Sequence, residues 1–183
     1  MNIDAFDIIT VLDRIGIVAF AIAGVQVGVR RRLDIFGLLV MGVVSATGGG
    51  AMRDVALGRL PLVLDRVDYL LWAGAASSLG IALAWRSRAL PPAVLLVADS
   101  VGLGAFAVAG AFAAISAGLE LPAVVLIAVV TATGGGVIRD LLADRVPLVL
   151  RAEVNATAAA LGGIAVWAIE PASTGAAALV GLT

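Results

Sequence analysis

Two arginine–aspartate dipeptides, Arg53-Asp54 and Arg139-Asp140, sit inside otherwise apolar stretches, each just after three glycines. The glycines are Gly48, Gly49 and Gly50 in the first stretch and Gly134, Gly135 and Gly136 in the second. Hydroxyls precede them, Ser45 and Thr47 in one copy and Thr131 and Thr133 in the other. A further carboxylate, Asp13 or Asp99, stands alone in the apolar run upstream of each. Charges inside a lipid-spanning helix cost several kcal/mol, so they pair or face water. The spacing therefore predicts two ion pairs, Asp13 with Arg53 and Asp99 with Arg139. The competing expectation is that both arginines snorkel to the headgroups. Gly49 and Arg53 share a helical face at i, i+4, as do Gly50 and Asp54, so glycine and charge form one surface. This chemistry suits moving or holding ions rather than making bonds. The chain has no cysteine and no histidine, which removes thiolate ligands and the commonest metal-binding and acid–base group. It has no phosphate-binding loop and no Ser/His/Asp set, so no enzyme, metal site or cofactor is expected.

Three glycines in a helix cost about 1 kcal/mol each relative to alanine, and they let it bend or bring its backbone close to a neighbour. If the helix opens there, carbonyls ending its first half suit a cation, and amides starting its second half suit an anion. The plainer expectation is a close-packing surface between helices.

The elements that carry these residues are duplicated. The stretch Ser45–Asp54 returns as Thr131–Asp140, an offset of about 86 residues that holds without a gap along both copies. Gly16 matches Gly102, Ala19-Phe20-Ala21 matches Ala105-Phe106-Ala107, Gly24 matches Gly110, and Pro61-Leu62 matches Pro147-Leu148. Of the 183 residues, 62% are hydrophobic and 14% charged, against about half and about a quarter in a soluble domain. With a mean hydropathy of +1.12, the chain belongs in lipid. A net charge of −1 offers no basic surface for nucleic acid. Spans of about 20 apolar residues are expected over 8–29, 35–60, 67–85, 92–117, 121–143 and 152–169. A stretch from Ser173 to Thr183 is too short to cross alone and is expected as a partial seventh helix. The fold expected is an all-α polytopic membrane protein, one transmembrane domain over 1–183. Its repeats cover about 8–85 and 92–169. Three spans per copy is an odd number, so the second copy is inverted, and matched interrupted helices in such folds mark a midplane site. The second and fifth spans are expected to be those helices.

With the N-terminus outside, the inner connections hold Arg30, Arg31, Arg32, Arg86, Arg88, Arg145 and Arg151, while Arg14, Arg59 and Arg66 stay outside. That asymmetry predicts an outside N-terminus. Asp4 and Asp7 before the first apolar run argue against a cleaved signal peptide. Gly24 and Gly28, with Ala105, Ala109 and Ala113, make faces suited to close helix contact. Trp72, Trp85 and Trp167 read as interfacial anchors. The sequon Asn155-Ala156-Thr157 falls at an inner membrane edge and reads as a chance match.

With [Ser/Thr]-Ala-Thr-Gly-Gly-Gly-x-x-Arg-Asp twice, each after Asp-x-x-Gly-x-x-Ala-Phe-Ala-x-Ala-Gly, the chain resembles prokaryotic members of the trimeric intracellular cation (TRIC) channel family. The match runs from Asp13 to about Ile169. The resemblance implies seven helices and a homotrimer in membrane lipid, each subunit with its own pore. It implies conduction of K⁺ and also Na⁺ in the prokaryotic cytoplasmic membrane. On the matching positions the six glycines become hinges of the pore helices, and Arg53, Asp54, Arg139 and Asp140 the charges beside it. Animal members use basic residues in gating and lipid binding; this chain has no lysine, so that regulation is not carried over. Bacterial relatives have also been labelled glycine transporters, which makes a secondary carrier of a small zwitterion the first alternative. A membrane scaffold that transports nothing is the second.

Overall fold

Five helices in the structure are long and apolar enough to cross a membrane: Ile8–Arg30, Ile35–Ala56, Val67–Arg86, Leu95–Ser116 and Leu121–Leu142. The computed structural model describes residues 5–87, 91–151 and 153–180. In chain order the elements are α1 (Ala5–Arg30), α2 (Ile35–Ala56), a four-residue α3 (Leu62–Asp65), α4 (Val67–Ser87), α5 (Pro92–Ser116), α6 (Leu121–Leu142), a 3₁₀ turn (Leu148–Leu150) and α7 (Glu153–Val180). Among the described residues the fold is all-α, and α7 carries a shorter apolar run, Asn155–Ile169.

Three boundaries differ from those expected. The second span stops at Ala56 rather than near Leu60, because Leu57 closes the helix and Gly58 turns the chain at φ +68°. A short helical turn, α3 or the 3₁₀ turn, follows each Pro61 or Pro147, where only a connection was expected. The stretch beginning at Ser173 continues α7 through Pro171 as far as Val180 instead of starting a new rod. Proline inside a membrane helix removes one donor, and neighbouring groups can make good that loss. Residues 181–183 of that expected seventh helix lie outside the described residues.

Duplication is visible in how the helices end. Arg32 and Gly118 have φ of +57° and +74°, and Gly58 and Asp144 have +68° and +51°, so each left-handed residue has a twin in the other repeat. The next amide reaches back five residues in all four cases, Leu33 to Gly28, Arg59 to Asp54, Leu119 to Ala114 and Arg145 to Asp140. That is the Schellman closure of a helix, for which glycine is best suited. Asp34 opens α2 by accepting the Gly37 amide at 2.8 Å, a cap that satisfies one of the free N–H groups.

Packing obeys the same symmetry. The neighbours α1–α2, α1–α4 and α2–α4 are repeated as α5–α6, α5–α7 and α6–α7. The two copies then meet through α1 against α5 and α2 against α6. At the centre Phe20 and Phe106 stack with centroids 5.4 Å apart. A side-chain carbon on Gly102 would fall 2.9 Å from the Phe20 ring, and one on Gly16 would overlap Phe106. Each phenylalanine therefore seats on a glycine of the other repeat. Stacked rings add about 0.5–1.5 kcal/mol to what their burial contributes.

Candidate functional site

Each repeat builds one charged cluster at the end of its glycine helix. In the first, Arg53 donates from Nη1 to Asp13 Oδ1 at 2.8 Å and from Nη2 to Asp13 Oδ2 at 3.0 Å. Its Nε reaches Asp54 Oδ1 at 2.8 Å. Asp54 Oδ2 then accepts the Leu62 amide at 2.9 Å, which fixes the start of α3. Tyr69 on α4 donates its hydroxyl to Asp13 Oδ2 at 3.3 Å. Arg53 and Asp13 are each only 2% exposed, so the pair survives by being bidentate and fully bonded. Snorkelling is excluded for this arginine by its burial.

The second cluster repeats this plan with fewer bonds. Arg139 donates from Nη1 to Asp99 Oδ1 at 2.5 Å and from Nε to Asp140 Oδ1 at 3.2 Å. Asp140 Oδ2 accepts the Leu148 amide at 2.9 Å. Among the described residues Asp99 Oδ2 has no donor. The position of Tyr69 is taken in this repeat by Asn155. Asp99 is 19% exposed against 2% for Asp13, so the second cluster is wetter.

Neither glycine triplet opens its helix. The α-helical backbone runs unbroken from Ile35 to Ala56 and from Leu121 to Leu142, so no carbonyls are freed as a lining, and the expectation of interrupted helices is corrected. The triplets lie where α2 crosses α6. A side-chain carbon on Gly49 would overlap the Thr131 carbonyl, and one on Gly135 the Ser45 carbonyl. One on Gly134 would fall 3.2 Å from the Gly49 Cα. Backbone therefore meets backbone at the crossing, as in a close-packing surface between helices. Gly50 and Gly136 behave differently: an added carbon there would meet only the Nη2 of Arg53 or Arg139 at 3.8 Å.

The hydroxyls divide in the same way. Ser45 and Thr131 are fully buried and donate to the Met41 and Ile127 carbonyls at 2.5 and 2.6 Å. They press against Gly24 and Gly110, so they pack α2 to α1 and α6 to α5. Thr47 and Thr133 donate to Val43 and Val129 at 2.8 and 2.7 Å and face open space. That space is a pair of symmetry-related cavities. One lies among Asp13, Thr47, Gly50, Arg53, Asp54, Tyr69 and Phe106 and measures about 20 Å³. Its twin lies among Asp99, Thr133, Gly136, Arg139, Asp140, Asn155 and Phe20 and measures about 310 Å³. The first has room for about one water and the second for several. Beyond it a mouth of about 580 Å³ adjoins Asp144, Arg145 and Arg151. The stacked phenylalanines stand between the two cavities.

The family described as "Glycine transporter" matches twice, over residues 10–86 and 96–171, the two repeats. The inner membrane protein YadS of Escherichia coli K12 is 44% identical over 155 residues, 84% of this chain and 74% of YadS. A prokaryotic TRIC channel crystallised in 0.5 M KCl is 38% identical with a TM-score of 0.82, over 90% of this chain and 85% of that one. The TRIC trimeric intracellular cation channel orthologue from Rhodobacter sphaeroides is 35% identical, TM-score 0.82, over 89% and 84%. The chain belongs to the TRIC family. As a TRIC-family protein it is a multi-pass protein of the inner membrane, built from two inverted three-helix repeats.

Within this TRIC fold the cavity-facing set is smaller than the sequence suggested. Thr47, Gly50, Arg53, Asp54 and Asp13, with their twins, face the two cavities. Gly48, Gly49, Ser45 and their twins form the crossing instead. Sequence reasoning passed over Tyr69, Asn155, Phe20 and Phe106 as site residues. The repeat alignment could have found the first two, since it sets a phenol opposite an amide beside otherwise matched charges.

Proposed function

We propose that the chain is a monovalent cation channel, conducting K⁺ and also Na⁺, with a route inside each subunit between α2 and α6. The observation that carries this reading is the charge count of the clusters. Each places one guanidinium between two carboxylates, so a formal excess of one negative charge faces each cavity. An arginine in a cation path would oppose it; here the aspartates outnumber it, and a low-dielectric wall focuses the field. Threonine hydroxyls and water can replace part of an ion's hydration. Opening requires the Phe20–Phe106 pair to part, so the conformation described is a constricted one. The solved relatives named as cation channels support the same reading, and the trimeric relative supports a homotrimer in membrane lipid. The glycines at 50 and 136 then widen the route, while those at 48, 49, 134 and 135 hold its two walls together. The arginine distribution supports an outside N-terminus.

Recording from the purified chain in planar bilayers under K⁺ and Na⁺ gradients tests this. Unit currents carried by both ions are expected, and Gly136→Leu, which fills the larger cavity, should lower them severalfold. Unchanged currents in that variant would remove the proposed route. The family description favours a second reading, a carrier of glycine: the Arg139 guanidinium and Asp99 carboxylate could face the two ends of a zwitterion. Saturable glycine counterflow without unit currents is the result that would select it.

A further inference from the structure

We propose that the larger cavity contains a binding site for one monovalent cation on Asp99 Oδ2, and that its twin on Asp13 is abolished by the second bond from Arg53 together with Tyr69. The proposal deepens the channel reading and rests on it. Asp13 and Asp99 are equivalent by duplication, yet their bonding differs. Both Asp13 oxygens are occupied, by two Arg53 nitrogens and the Tyr69 hydroxyl. Only Oδ1 of Asp99 is engaged, by Arg139 Nη1, which leaves a carboxylate oxygen open toward about 310 Å³ of space.

The surroundings supply the rest of an oxygen shell. Thr133 spends its proton on the Val129 carbonyl at 2.7 Å, so its lone pairs remain to accept a cation. Asn155 and Ser100 line the same cavity and bring a carboxamide and a hydroxyl oxygen. Hard cations take such oxygen ligands, and two carboxylates sharing the Arg139 guanidinium leave a formal charge of −1 at this cavity, which suits one positive charge better than two. In the first repeat the matching positions carry bulk instead. Tyr69 replaces Asn155, Arg14 replaces Ser100, Val18 replaces Gly104 and Trp72 replaces Ala158. Of these, Tyr69 lines the first cavity, which measures only about 20 Å³, while Arg14 and Trp72 are partly exposed.

A site of this kind stabilises the folded chain in proportion to its occupancy, so binding can be read apart from flux. The test is thermal unfolding of the full chain in detergent against KCl, NaCl and MgCl₂, with N-methylglucamine chloride holding ionic strength constant. Flux of K⁺ into liposomes is measured on the same samples. The wild-type midpoint should rise saturably with K⁺ or Na⁺ above the organic cation. Asp99→Asn also releases Arg139 and can unfold the chain, so Asn155→Tyr and Asn155→Leu, which leave the ion pair intact, are the working variants. Both should weaken the apparent K⁺ affinity by about tenfold, the scale on which a lost supporting ligand acts on an ion site. Flux without any rise in the wild type would overturn the site and leave the channel standing. Neither flux nor rise would overturn both. A rise confined to Mg²⁺, or one that persists unchanged in both Asn155 variants, would also overturn the site.

Discussion

Arg53 and Arg139 are the same residue of two copies placed in unequal surroundings, and their substitutions should differ accordingly. Removing one partner of a buried pair costs about 3–5 kcal/mol, because the other charge is left without compensation. Arg53→Met strands Asp13 at 2% exposure and frees Asp54 from its hold. Arg139→Met strands Asp99 at 19% exposure beside a cavity that water can enter. Chemical unfolding in mild detergent should show the larger loss for Arg53→Met, by about 1–2 kcal/mol, the cost of leaving a buried group unsatisfied. Equal losses would mean that the two clusters are equally dry. The pairs themselves were legible from sequence, because a charge in a hydrocarbon-length run needs a partner. Their inequality was not, since it arises from residues on α4 and α7 that are far away along the chain.

At the scale of the helix, glycine has two distinct uses within one triplet. Gly49 has a carbonyl of α6 where a methyl would go, and Gly50 has open space. Gly49→Ala should therefore push α2 from α6 and lower the unfolding midpoint clearly. Gly50→Ala should leave the midpoint unchanged or raise it, since alanine favours a helix by about 1 kcal/mol over glycine. A midpoint that falls equally in both would show that the triplet acts as one unit. The sequence identified the five long apolar helices, since apolar length is a strong signal, but divided α7 in two. It could not say whether three glycines unwind a helix or let another one touch it. That choice is made by what lies opposite, here the backbone at Thr131 and Ser45. The short turns at Leu62 and Leu148 were invisible for a similar reason. Each is started by a carboxylate eight residues earlier that also serves an arginine.

For the whole molecule, the inverted duplication was the most legible feature, because an odd number of spans per copy permits only one arrangement in a bilayer. The orientation of that arrangement is testable in a chain without cysteine. With the N-terminus outside, a single Leu119→Cys should react with an impermeant maleimide in intact cells, and Leu33→Cys should react only after lysis. The reverse pattern would invert the topology. Duplication also means that the two halves began alike and have since diverged. Tyr69 lines the small cavity of one half, while Asn155, Ser100 and Ala158 line the open one of the other. A conducting passage with a roomy, charged antechamber at only one end is electrically lopsided. Ions gather readily at the wide end and scarcely at the narrow one. Current should therefore rectify under symmetric salt, and the easy direction is set by which repeat carries the tyrosine.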